Sequence, residues 1–252
     1  MADRAPQPSV AAGQVEAALD RRITDLAVPL SPAHVDPPLL LSREFLTRVE
    51  FFSSFPRRAV AAGRTGPVQP PATCYRLFQA LQGTDLKEPL LATLTGPCFR
   101  KEARYDDGHL RVFTMREVVF IAPEDHVTEA RDELGSASLR LAQDLGLGAR
   151  LEEAEDPFFA ESGRAKRLLQ RLLRLKVELV APALGGPLPL ASFNLHQDFF
   201  GTRLGITLDG TPAWSGCAAW GIERWRLALE ERWDKEPSAW PGSVRHTLGL
   251  DR

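Results

Sequence analysis

Apolar side chains recur at helical spacing in two stretches of the chain. Within residues 14–28, Val15, Leu19, Ile23 and Leu26 follow at steps of four, four and three, which predicts an amphipathic helix. From Pro123 onward Val127, Ala130, Leu134, Ala137, Leu141 and Leu145 keep that rhythm as far as Gly146, which predicts a long helix stopped by a glycine. Elsewhere the period falls to two. Residues 98–103 and 109–121 read as strands joined by the turn Asp106-Asp107-Gly108, and 149–154 and 175–182 read as two further strands. Residues 191–208 and 211–220 form another pair across Asp209-Gly210. Shorter helices are expected from Ser42 to about Ser53, at 161–174 and at 222–233. Pro29 to Pro38 reads as a linker, 54–73 as loop, and the Pro/Ala-rich start, 1–13, as disordered. Strands that come mostly in hairpins, with helices between the groups, specify an α+β fold with a largely antiparallel sheet.

Composition narrows the class without naming a chemistry. With 252 residues, 44% apolar and 25% charged, the chain can bury the core of one large domain, alone or with a small appendage. A net charge of −2 with no block of like charges offers no footprint for a long polyanion. The start MADRAPQPSVAAG lacks the apolar run of a signal peptide, and no segment approaches a membrane span. Three widely spaced cysteines do not make a disulfide framework, so the expectation is a reduced cytoplasmic protein.

Residues 214–226, WSGCAAWGIERWR, carry the first chemical signal. A strand turning into a helix at Gly221 would present unpaired N–H groups to an anion, with Arg224 adding a permanent cation in the first turn. Residues 98–121 carry the second. Alternation groups Arg111, Phe113, Met115, Glu117 and Val119 on one strand face, and Arg100 with Glu102 on the neighbouring strand. Phe99, Val112, Val118 and Phe120 imply that the other face is buried. On alternation alone, a solvated salt-bridge face outweighs a polar site.

Cys74, Glu117 and Cys217 offer two thiolates and a carboxylate, which zinc accepts while keeping a fourth position open. They stand 43 and 100 positions apart, a spacing that carries no information, so buried structural cysteines and a surface Glu are the simpler reading of spacing alone. His196 in SFNLHQDFF reads as a packing residue with no chemistry. The basic stretch 164–176 reads as a helix with a solvated face, or one that meets an acidic partner. Trp214, Trp220, Trp225 and Trp233 read as core.

Taken together, these segments carry a family resemblance. FRKEA at 99–103 followed by RVFTM at 111–115 resembles the second signature motif of class II aminoacyl-tRNA synthetases, and GIERW at 221–225 resembles the third. More specifically, the chain is similar to the amino acid:[carrier protein] ligases, which resemble seryl-tRNA synthetase cores without the tRNA-binding arm. CFRKE, FTMREVV, DPFF (156–159), LKVEL (175–179), SFNLHQDFFG (192–201), SGCAAWGIERW and EPSAWPGSVRHTLGL (236–250) run in the family's order. The first synthetase motif is not readable.

The resemblance implies a class II synthetase-like domain over 35–252, preceded by a helix and linker at 14–34, and a homodimer. It implies ATP-dependent activation of a small amino acid and transfer to the phosphopantetheine thiol of a carrier protein, without tRNA. It places Zn2+ on Cys74, Glu117 and Cys217, with the substrate amino group at the open position. Arg100 would bridge the amino acid carboxylate and the α-phosphate, and Arg224 would hold the γ-phosphate. Glu102 would accept from the adenine amino group, Met115 would pack on adenine, and Arg111 would lie near the triphosphate or ribose. Glu178, or next Asp198, would hold Mg2+. A minimal aminoacyl-tRNA synthetase and a catalytically silent binding relative are the rival readings.

Overall fold

The structure is a computed structural model that describes residues 10–61, 63, 65–102, 104–155 and 173–251. The DPFF segment and residues 161–172 of the expected basic helix lie outside the described residues, as do residues 1–9 of the expected disordered start.

Seven strands lie side by side in the order β1 (Ala33–His34), β3 (Leu90–Phe99), β4 (Val112–Ile121), β10 (Ser215–Gly221), β7 (Gly186–Gln197), β6 (Lys176–Ala183) and β5 (Arg150–Glu153). All neighbours are antiparallel except β1 and β3. A small second sheet joins β2 (Asp85–Leu86), β8 (Thr207–Leu208) and β9 (Thr211–Pro212). The α+β fold with a mostly antiparallel sheet agrees with the expectation.

Alternation along the central strands sends side chains to two different cores. On one side, Val118, Phe120, Phe193 and Trp220 meet α1 (Val10–Ala27), α5 (Glu124–Asp144), α7 (Ile222–Arg232) and α8 (Gly242–Leu248) through Leu19, Ile23, Leu134 and Trp225. The polar tip of buried Trp220 is satisfied there, its indole N–H donating to Ser138 Oγ at 2.9 Å. Arg116 also points this way and makes a two-pronged pair with Asp20 of α1, at 2.8 and 2.7 Å. On the other side, Val119 and Ile121 meet α2 (Arg43–Arg48), α3 (Phe51–Ser54), α4 (Cys74–Ala80) and α6 (Phe199–Leu204) through Phe45, Phe51, Phe78 and Phe200. Among the described residues no helix is long and apolar enough to cross a membrane.

Several boundaries differ from the sequence expectation. Residues 10–13, expected disordered, open α1. The strand expected at 98–103 instead spans Leu90–Phe99, and the described residues between 100 and 111 are loop apart from one bridge between Asp106 and His109. Arg100 and Glu102 are therefore not strand neighbours on a common face. The long helix ends as expected at Gly146, whose φ is +70° and where a Cβ would lie 2.7 Å from the Trp233 ring, so only glycine fits. The segment 191–208 holds the end of β7, then α6, then β8, while 211–220 divides into β9 and most of β10. The helix from Ser42 to Ser53 breaks in two at Glu50, which sits at φ +53°. Helix α4 was not foreseen.

Candidate active site

The register of the sheet builds the site floor. One row across the strands reads Leu94, Glu117, Ala219, Ser192 and Glu178; the next reads Ala92, Val119, Cys217, Asn194 and Lys176. Glu117 and Cys217 are thus diagonal neighbours on adjacent strands, within reach of each other. Small Ala219 and Ser192 between Glu117 and Glu178 leave a trough. Helix α4 and the loops around 54–73 and 100–111 wall that trough into a cavity of about 410 Å³. Every site residue named from the sequence lines it except Arg111 and Asp198.

At the deep end Cys74 opens α4 directly over the sheet. The ligand atoms of Cys74, Glu117 and Cys217 lie within 4.8 Å of one another, and all three residues are buried. The solvated-face reading of Glu117 is overturned: its relative exposure is 0%. Thr73 holds one carboxylate oxygen in place, its N–H and hydroxyl donating to Oε1 at 2.6 and 2.7 Å. The other oxygen, Oε2, is buried and has no hydrogen-bond partner among the described residues. An orphaned carboxylate oxygen is costly to bury, and here it sits with two free thiols. Two sulfurs and one oxygen are a donor set that fits zinc with one position left over.

Electrostatics at this end follow from the crowding. A hydrogen bond from the Cys74 thiol, followed by the effects of His196 and Asn194, holds Cys217 well below the ordinary thiol range. The same bond, burial and the Glu117 charge push Cys74 well above it. Burial, then the Cys217 charge, raises Glu117. Asn194 Nδ2 donates to Cys217 Sγ at 3.4 Å, and His196 Nε2 lies 3.5 Å from the same sulfur.

The shallow end gathers charge of both signs. Arg224 donates from Nε to Gly108 O and from a terminal nitrogen to Pro189 O, both at 3.1 Å. Burial, with Arg100 nearby, lowers its pKa, while Glu178, Glu102 and Asp106 act the other way. Arg100 donates to Pro71 O at 3.0 Å and lies 5.0 Å from the centre of the Phe113 ring. Glu102 pairs with Arg58 at 3.0 Å, and Glu178 with Lys176 at 3.1 Å. Met115 lies between Gly96 and Gly221 in the register. Glu223 accepts the Thr114 N–H at 2.8 and 2.9 Å, tying α7 to β4.

Two named residues stand elsewhere. The Arg111 guanidinium lies over Tyr105, 5.0 Å from the ring centre. Asp198 is exposed and accepts the Thr202 hydroxyl at 3.1 Å. Gly221 also differs from its expected reason: its φ of −88° suits any residue, and a Cβ there would make ordinary contacts with the Arg224 stem. Arg58, Thr73, Asn194 and His196 were not read from the sequence as site residues. Asn194 and His196 share the alternation of Ser192 and could have been; Arg58 sits in an aperiodic loop that gives no such signal.

No family model matches the chain. It is 38% identical over 185 residues to amino acid–[acyl-carrier-protein] ligase 1 of Bradyrhizobium diazoefficiens, covering 71% of this chain and 57% of that protein. The chain thus spans little more than half the length of that relative. Among solved structures, it aligns with the seryl-tRNA synthetase of Methanopyrus kandleri in complex with A. aeolicus tRNASec at a TM-score of 0.77 and 19% identity, over 93% of this chain and 55% of that one. Seryl-tRNA synthetase from Pyrococcus horikoshii complexed with ATP gives 0.71 and 19% over 94% of this chain and 55% of that one. In sequence the chain is thus similar to the amino acid–[acyl-carrier-protein] ligases, and it shares the fold of the seryl-tRNA synthetase structures.

Proposed function

We propose that the protein activates a small amino acid with ATP and passes it to the phosphopantetheine thiol of a carrier protein. The observation that carries this reading is a single cavity with a two-thiol, one-carboxylate cluster at its deep end and Arg100, Glu102 and Arg224 at the other. The matched ligase is named for acyl-carrier-protein, and one fold neighbour is complexed with ATP, which supports the same assignment.

Cys74, Glu117 and Cys217 would hold zinc, which when bound supplies a Lewis-acid position for a neutral amine. Phe51, Tyr75 and Phe200, packed edge to face beside Cys74, leave room for a small amino acid side chain. Arg100 draws the substrate carboxylate toward the α-phosphate and offsets charge as a carboxylate oxygen bonds to phosphorus and pyrophosphate departs. Arg224 steadies the phosphate chain. Glu102 accepts from the adenine amino group, and Met115 packs on the base. Glu178 is the carboxylate in the cavity suited to a magnesium ion, and Arg111 would join the triphosphate or ribose only by leaving Tyr105. In the second half-reaction the carrier thiolate attacks the acyl carbon and AMP leaves. No covalent enzyme intermediate is required. The protein would work as a cytoplasmic homodimer.

Amino-acid-dependent exchange of labelled pyrophosphate into ATP tests the first step, and loading of phosphopantetheinylated carrier protein against total tRNA tests the second. Exchange with carrier loading is expected. Charging of tRNA would favour a minimal synthetase, and zinc and nucleotide binding without exchange would favour a silent binding relative.

A further inference from the structure

His196 sits where β7 departs from regular pairing. Cys217 opposes Asn194 and Gly216 opposes Leu195, yet Ser215 opposes Gln197, so His196 is the extra residue of a β-bulge. Bulges re-aim side chains at a local cost, and here the cost is visible as Gln197 held at φ +56°. Gly216 supports the close pairing, because a Cβ there would stand 2.7 Å from Asn194 O and 2.9 Å from Val127. Phe78 and Phe200, stacked on each other, meet the imidazole edge to face, with centroids 5.6 and 5.0 Å away.

So held, the ring presents both nitrogens to buried partners. Nε2 is 3.5 Å from Cys217 Sγ, and Nδ1 is 3.2 Å from the hydroxyl oxygen of Ser215. Ser215 is 1% exposed. One arrangement satisfies every group: the Ser215 hydroxyl donates to Nδ1, and Nε2–H donates to the sulfur. Asn194 gives the same sulfur a second N–H.

We propose that His196 is a positioning residue for Cys217, fixed in one tautomer by Ser215 and aimed by the bulge, and that it tightens the hold of the cluster on a divalent metal. The inference rests on the metal-site reading above. Two thiolates and a carboxylate outweigh a divalent cation by one negative charge, and N–H donors to a ligating sulfur offset that excess and fix the sulfur's direction.

Cobalt titration of chelator-stripped protein tests this, with the thiolate-to-metal absorption band as the readout. Wild type is expected to bind cobalt and show the band; failure of wild type to do so removes the metal reading itself. With wild type binding, His196→Ala is expected to weaken cobalt affinity by about tenfold and shift the band. His196→Gln, which keeps an N–H donor, should recover part of the affinity, and Ser215→Ala should fall between. Thermal unfolding of each metal-free variant separates positioning from folding. If His196→Ala does not fold, His196→Gln and Ser215→Ala carry the test. Wild-type affinity and band in the variants that fold overturn the proposal, as does a loss that follows metal-free stability and is not relieved by Gln.

Discussion

The two ends of the cavity solve opposite problems. At the deep end the protein has assembled acceptors, and among the described residues one of them, Glu117 Oε2, has no donor. At the shallow end four charged side chains already have protein partners: Arg224 with two carbonyls, Arg100 with Pro71, Glu102 with Arg58 and Glu178 with Lys176. A ligand entering the deep end relieves an unmet need, whereas one entering the shallow end must exchange contacts that already exist. The first should bind tightly and persist; the second should come and go, as a cosubstrate does.

The strongest blow to that contrast is Cys217→Ser. Zinc measured by metal analysis is expected to fall to background, and amino-acid-dependent pyrophosphate exchange with it, because the substitution removes a soft ligand from a three-ligand set. Arg224→Ala strikes the other end and should slow exchange by about 10²–10³-fold while zinc content stays at the wild-type value. Loss of zinc in that variant would show that the ends are not separable. Arg58→Ala sharpens the picture on a smaller scale. If the Arg58–Glu102 pair competes with the nucleotide, removing it should lower the KM for ATP by about two- to fivefold with kcat unchanged, as expected for a partly exposed ion pair. The smallest effect belongs to Met115→Phe, a near-volume-conserving change at a buried position beside two glycines. Denaturant unfolding should register a shift below about 1.5 kcal/mol.

Much of this was legible in the chain. Alternation along 109–121 put Met115 and Glu117 on one face, and the sheet keeps them there. What alternation could not supply was the pairing partner that buries Glu117, because register depends on strands a hundred positions apart. Helix α4 escaped notice for a physical reason: it is seven residues long, and Thr73, which precedes it, gives its hydroxyl to Glu117 instead of capping the helix. Strand β3 was hidden by Gly96-Pro97. Pro97 is tolerated because β1 pairs only with Ala92 and Thr93, leaving that stretch an edge with no N–H required on its outer side. His196 looked like packing, and it does pack; only the slip in register beside Ser215 shows what else it faces.

One consequence follows from β10 being seven residues long and running from Ser215 straight into α7. Cys217 and Gly221 are fixed points on a single rigid rod, about 13 Å apart at ordinary strand rise. On the assignment proposed above, that rod acts as a ruler between the place for an amine and the place for a phosphate chain. Lengthening it by one residue would turn Cys217 or Arg224 to the wrong side of the sheet, so the span between the two grips is set by the backbone and cannot be tuned a little at a time.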